Sequence, residues 1–450
     1  MQIDPKLRGR MPPVNPPVPF RTRDDAVRGW KVTIPGGRPL ATPAVADGLL
    51  FLGGGFGSYD FYALDAETGR VAWQYQTSDD GPTAAVVGDG FVAFNTESCE
   101  LEILTTAGRA VWKRWLGDPL MSMPALSGGR VYVAYPDSRG DHHHYLAAFD
   151  QSTGRELWKQ RLGGEVITAP VLADGHVYLA TLDGTLYCFR QDGTPLWHEP
   201  KNATSAPAVW KGQCYFSQRR EVPSGQPGRE APPQQMEQVA MRGLGAMSAT
   251  VPFSCTGTPA AYLDYTKRRH RSPQDRACEM ADGDVGFAGH KGDAKMAQAI
   301  QNLGKGHISA VWAHQGSKPF LWRGRLYSAL GDALHCVDPE TRAPIWKRTL
   351  HERPSPAELL DGMLTPPAIV NGKVFFGTLD GEVCCLSAWS GDTIWSVRVG
   401  EPILFQPAVA RGRVYAPTQA GNLFCLETGD SRDDGWLMWG AGPCHNGLQE

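Results

Sequence analysis

The opening of this 450-residue chain, MQIDPKLRGRMPPVNPPVPF, has no apolar run long enough for a signal peptide or a membrane span. It also offers no cysteine for lipid attachment. As written, the sequence therefore suggests a cytoplasmic chain with no transmembrane segment. Positive charge is not in excess either. With 44 Lys and Arg against 47 Asp and Glu, the formal charge is -3, which excludes the basic surface expected of a nucleic-acid or anionic-membrane binder. The common signatures of catalysis are absent too. There is no C-x-x-C-H haem site, no phosphate-cradling glycine loop and no nucleophile elbow. His142, His143 and His144 are consecutive, so an extended chain points them in opposite directions and they cannot converge on one metal. No catalytic residue and no metal ligand is assigned.

Turns, by contrast, are plentiful. Gly (52) and Pro (35) are both numerous, which suits short strands joined by tight turns and predicts an all-β protein. One phrase recurs: ALDAETGRVAW (63–73), AFDQSTGRELW (148–158), CVDPETRAPIW (336–346) and CLSAWSGDTIW (385–395). Shorter relatives are ILTTAGRAVW (103–112) and CFRQDGTPLW (188–197). A phrase repeated every few dozen residues marks a structural unit that must be stacked to bury its core.

In each phrase a Gly, or Arg342 in its place, precedes Trp by four residues. The Gly supplies the positive φ of a hairpin, the leading Asp accepts turn amides, and the Trp opens the next strand with a ring large enough to wedge between sheets. Phrases such as APVLADGHVYLATLDGTLYCF (169–189) then read as three short strands. Adding the Trp strand gives four, the blade of a β-propeller. The docking residues Trp30, Trp73, Trp112, Trp158, Trp197, Trp312, Trp346 and Trp395 predict an eight-bladed propeller of four-stranded antiparallel blades, with seven as the alternative. Trp30 looks like a last strand with no blade before it, so the N-terminal strand is expected to complete the C-terminal blade. Cys188, Cys336, Cys385 and Cys425 share the slot of Ala63, where a small apolar side chain faces a buried surface.

These patterns divide the chain into an arm (1–29), a propeller (30–217 and 307–435), an irregular or helical insertion in blade five (218–306) and a tail (436–450). The insertion holds a Pro/Gly/Arg-rich entry, two weak helix candidates at 260–282 and 293–304, and the basic run KRRHR at 267–271. An interruption this long in a compact fold is expected to carry function. Channel-mouth loops precede the strand-opening prolines, which makes Arg38, Glu165, Asn202, Asp361 and Glu401 the candidate ligand-binding residues.

The phrase A-x-D-x-x-T-G-x-x-x-W resembles the PQQ-like propeller repeat of quinoprotein dehydrogenases and of the outer-membrane assembly lipoprotein. The C-terminal GWLMWGAGPCHNGLQE is similar to tail segments found beside such propellers. The resemblance implies one of two functions: a non-catalytic scaffold for a protein partner or small ligand, or a quinoprotein oxidoreductase that holds PQQ with Ca²⁺. It also implies a periplasmic or other extracytoplasmic location, and a monomeric ring is expected. In the dehydrogenases a vicinal cysteine pair in a loop covers the quinone. Cys384-Cys385 matches in sequence but falls within a predicted strand, whose alternation separates the two side chains.

Overall fold

The computed structural model describes residues 13–222, 234–243, 249–250, 255–256 and 318–449, apart from 23–26, 97–98, 118–121, 137–142, 331–332, 350–363 and a few isolated loop positions. All regular elements among these residues are strands. They form eight sheets. Blade one is Ala44–Ala46, Leu49–Gly53, Asp60–Asp65 and Val71–Gln76. Blades two, three and four repeat this order from Val86–Gly88 to Ala110–Trp115, from Ala125–Ser127 to Glu156–Leu162, and from Val171–Ala173 to Pro195–Pro200. Blade six runs from Phe320–Trp322 to Pro344–Thr349, and blade seven from Ala368–Val370 to Thr393–Arg398. The short first strands touch one another in sequence from blade five through eight and on from one to four. They form the inner wall of a propeller.

The recurring phrase acquires a physical meaning between blades. Trp73 pairs in register with Ala63, Trp158 with Ala148, Trp197 with Cys188, Trp346 with Cys336 and Trp395 with Cys385. Small side chains at that slot leave room beside the indole, and the four cysteines there are buried and free. Five docking indoles then reach into the next blade. Trp30, Trp73, Trp112, Trp158 and Trp346 donate their Nε1 protons to the carbonyls of Glu67, Thr106, Gln151, Gln191 and Ala388, at 2.8 to 3.1 Å.

Beneath each of these rings lies the hairpin glycine of that next blade. A Cβ added at Gly69, Gly108, Gly154, Gly193 or Gly391 would lie 2.7 to 2.8 Å from indole carbons. The same glycines have φ between 70° and 92°, so two independent constraints exclude a side chain there. The hairpin is fixed by its leading Asp. Asp65 Oδ1 accepts from the Glu67 and Thr68 amides, Asp150 Oδ1 from those of Ser152 and Thr153, and Asp338 Oδ1 from those of Glu340 and Thr341.

Blade eight is closed by both regions of the chain, as its missing last strand foretold. Ala408–Ala410, Arg413–Pro417 and Asn422–Glu427 are completed by Arg28–Thr33, with Trp30 opposite Cys425. Val18–Arg21 adds a fifth, outermost strand, and its Phe20 ring meets Phe424 edge-on at 6.0 Å.

Blade five differs from the sequence reading. Its sheet was expected to be completed from about residue 307, beginning at Trp312. Instead Gln213–Val222 pairs along its full length with Gln234–Gly243, which pairs in turn with Ala249–Thr250. The two long strands are thus antiparallel neighbours in one sheet, and the Pro/Gly-rich composition of the sequence between them disguised that pairing. Trp312 and both helix candidates lie outside the described residues.

Trp158→Ala is expected to lower unfolding free energy by about 3 to 5 kcal/mol through lost aromatic burial. Gly193→Ala, which adds only a methyl group beneath that ring, should cost roughly 2 kcal/mol or more. Urea denaturation measures both. A fully stable Gly193→Ala protein would show that the ring yields at this contact.

Candidate functional site

The loops that enter each blade converge on the ring axis. Two residues before the first strand, the blades carry Thr42, Ala84, Met123, Ala169, Ala206, Lys318, Pro366 and Gln406. Ala84, Met123, Ala169 and Ala206 belong to one buried cluster with Trp439 of the C-terminal tail. The axis is therefore filled by the chain itself.

The tail winds round the inside of the ring. The Trp436 and Val409 backbones exchange hydrogen bonds, the Val45 amide donates to the Leu437 carbonyl at 2.7 Å, and the Leu126 and Leu172 amides donate to Pro443 and Cys444 at 2.9 Å. The Asn446 amide group accepts from the Val209 N–H and donates to its carbonyl. The Leu321 amide donates to Gly447, and Leu448–Gln449 then runs parallel to Phe320–Trp322. The residues met are the central ones of the first strands of blades eight, one, three, four, five and six. An inner strand would otherwise present an unpaired backbone edge to the channel. Trp436, Met438, Trp439 and His445 are all buried.

Two titratable groups lie in this plug. Lys318, fully buried, donates from Nζ to the carbonyls of Pro207 and His445, both at 2.6 Å. Burial drives its pKa well down. His445 places Nδ1 2.7 Å from the Trp439 carbonyl and Nε2 2.9 Å from the Pro124 carbonyl. Only an imidazolium could donate to both, but burial opposes the charge and pushes the pKa down to about 4. At neutral pH the ring is uncharged and donates to one carbonyl.

Of the residues expected at the mouth, Arg38 and Glu401 are described. Glu165, Asn202 and Asp361 lie outside the described residues. Both described residues meet the same turn of blade eight. Glu401 accepts from Thr418 Oγ1 and Asn422 Nδ2 at 2.7 to 2.8 Å and pairs with Lys31 at 3.2 Å. Gly421 abuts the backbone of Gly37 and Arg38 so closely that a Cβ would lie 2.7 Å from Gly37 Cα. Glu401 thus ties blade eight to its incoming loop.

A group missed in the sequence lies between blades one and two. Glu100 and Glu102 alternate onto one face of the strand Glu100–Thr105. Glu102 is fully buried and accepts from the Tyr75 hydroxyl at 2.7 Å, while Glu100 pairs with Lys113. Burial pushes the Glu102 pKa up to about 7, and the neighbouring Glu100 charge adds to the shift.

The cysteine pair does not fit the quinone role. Cys384 and Cys385 lie inside the strand Glu382–Ser387, opposite Ser396 and Trp395. Both are buried, and the alternation of the strand sends them to opposite faces. Burial raises both thiol pKa values, Cys385 to about 12. No group of three or more metal-ligating side chains occurs among the described residues.

Deleting 436–450 removes backbone partners from the inner wall together with two buried indoles. It should lower stability by at least about 4 kcal/mol, read as a shifted denaturation midpoint. Glu102 supplies a pH test. Its folded pKa is raised, so its contribution to stability is complete below the ordinary carboxyl pKa near 4.5 and is lost as pH rises toward about 7. Glu102→Gln should stabilise the protein at pH 8 by on the order of 2 kcal/mol and leave it little changed at pH 4.5. Equal effects at the two pH values would mean that the carboxyl is not shifted.

A family model described as outer membrane protein assembly factor BamB matches residues 24–105, 101–220 and 330–439. No curated protein sequence matches the chain. Among solved structures, BamB from Moraxella catarrhalis is 15% identical with a TM-score of 0.53, covering 92% of this chain and 98% of its own. Quinohemoprotein alcohol dehydrogenase from Comamonas testosteroni is 14% identical with a TM-score of 0.57, covering 89% of this chain and 76% of its own. The computationally designed Ika8 protein reaches 0.57 at 12% identity, covering 88% and 98%. At these identities the structures share a fold with this chain, while the family match spans more than half its length; the chain belongs to the PQQ-like β-propeller family of the outer membrane protein assembly factor BamB.

Proposed function

We propose that this chain is a non-catalytic propeller scaffold that binds a protein partner through its surface loops and through the segment that follows the strands of blade five. The observation that carries the reading is the plugged axis. The central space in which a ring of this kind would seat a small ligand is taken by Trp439, His445 and Lys318. Lys318 and His445 of the plug meet backbone carbonyls, and Glu401 is engaged in holding blade eight to its incoming loop. Binding capacity is left to the two faces and the rim. The family model is named for an assembly factor, a protein that acts with others, and the likeness favours a protein partner here.

The oxidoreductase reading is tested by titrating the purified protein with pyrroloquinoline quinone and Ca²⁺. The expected result is no stoichiometric complex and no dye-linked alcohol oxidation. A stoichiometric complex that oxidises alcohols would overturn the scaffold assignment. The scaffold reading is tested by isolating the tagged chain under native conditions, where a protein present in fixed ratio should accompany it. Replacing residues 257–306, which lie beyond the paired strands of blade five, with a short linker should abolish that association while circular dichroism stays β-rich.

A further inference from the structure

Three tryptophans depart from the small or polar residues of the repeat in three consecutive blades. The turn between first and second strands is preceded by Ala46, Gly88, Ser127, Ala173, Val370 and Ala410 in six blades, but by Trp210 in blade five and Trp322 in blade six. In the outer hairpin, the slot held by Glu67, Ser152 and Glu340 elsewhere is held in blade seven by Trp389. Both kinds of turn lie at one end of the ring, because the hairpin hooks onto the inner turn. The amides of Ala66, Thr106, Gln151, Gln191 and Ala388 donate to the carbonyls of Gly48, Gly90, Gly129, Gly175 and Gly372.

The three rings follow one another along that face through the turn glycines. A Cβ at Gly324 of blade six would touch Trp210 at 3.7 Å, and one at Gly372 of blade seven would touch Trp322 at 3.8 Å and Trp389 at 3.1 Å. Trp322 and Trp389 meet edge-on with centroids 4.9 Å apart. Cations are interleaved. Lys211 Nζ lies 4.2 Å from the Trp210 ring, the Arg323 guanidinium 5.3 Å from Trp322 and that of Arg325 4.5 Å from Trp389. Arg325 also donates to the Trp389 carbonyl at 3.1 Å. Trp322 is itself buried, whereas Trp389 remains 48% exposed and Trp210 half-buried.

Charge on this face is segregated. At the first turn position blades one, two and four carry Asp47, Asp89 and Asp174, whereas blades five, six and eight carry Lys211, Arg323 and Arg411. Among the acidic groups of the tryptophan side, Glu340 is engaged by Lys211 at 2.7 Å, Asp338 by its own turn amides, and Asp430 and Asp433, at the blade-seven turn, by Asn371 and Lys373. The aromatic anchors thus sit only on the cationic half. Tryptophan and arginine in contact are the residue types that dominate binding energy at protein interfaces.

We propose that this face, Trp210 and Trp389 with Lys211, Arg323 and Arg325, with the buried Trp322 supporting Trp389, is the docking site for an extended acidic segment of the protein partner. The proposal rests on the scaffold reading and names the surface and the partner chemistry. An acidic chain laid across it would set carboxylates against the exposed cations and cover the open face of Trp389. Such contacts steer association and are screened by salt.

The test is titration of the intact protein with a fluorescein-labelled oligo-glutamate peptide, followed by anisotropy and by tryptophan quenching. Saturable binding is expected, weakening as ionic strength rises. Trp389→Ala and Arg325→Glu should each weaken it at least about tenfold, and Arg325→Lys less than Arg325→Glu, with circular dichroism and melting temperature unchanged. Absence of saturable binding overturns the proposal. So does wild-type affinity in folded Trp389→Ala and Arg325→Glu proteins, or equal affinity for oligothymidylate, which would mark a general polyanion surface. These outcomes leave the scaffold reading intact, whereas quinone-dependent oxidation would overturn that reading whatever the peptide does.

Discussion

The contact on which the ring depends is an indole lying flat on a glycine of the next blade. It transmits register in two directions at once. Within a blade the Trp is fixed opposite a small residue on its neighbouring strand, as in the pairing of Trp346 with Cys336. Between blades its N–H is held by the turn that contains the glycine, as Trp346 is by Ala388. A blade therefore cannot slide along its neighbour without losing a hydrogen bond and forcing a ring into backbone. Sheets that have only apolar faces to offer would pack with far less positional definition.

Much of this was legible in the sequence because the contact is made of side chains at fixed spacing. The Gly-to-Trp interval predicts the hairpin, and the lone Trp30 predicts that the first and last parts of the chain share a sheet. The plug was not legible, because the tail is held chiefly by backbone groups, which leave no trace in residue identity. Lys318 illustrates the difficulty. It occupies a slot that holds uncharged residues (Thr, Ala, Met, Pro or Gln) in the other blades, and only the ring geometry turns that slot toward the axis. The acidic pair Glu100 and Glu102 carried a readable signal, alternate charges on a strand otherwise apolar on both faces, but its burial depended on blade one. Blade five was misread for a different reason. The sequence between its two long strands is rich in Pro and Gly, a composition that suits a hairpin turn and an excursion from the fold alike.

The two ends of the ring carry different chemistry. At the end where the loops enter, polar side chains hold a blade to its incoming loop, as Glu401 does with Lys31, Thr418 and Asn422. Across the opposite face the recurring joints are made by the indoles, and the turn residues beside them need not be the same in every blade. That freedom allows Lys211, Arg323 and Trp389 to depart from the Asp, Gly and Glu of their counterparts without disturbing the repeat.

The pairing of Trp30 with Cys425 and of Leu437 with Val45 places the last-formed contacts between parts of the chain that are made at opposite times. On a ribosome, the strand Arg28–Thr33 emerges early and finds its sheet only after seven blades have followed it. The inner edges likewise stay open until the tail arrives. Contacts of such long sequence separation slow folding, and unpaired edges invite association with other chains in the interval. The same closure that leaves the finished ring without loose ends thus makes the half-made chain a natural client for a chaperone.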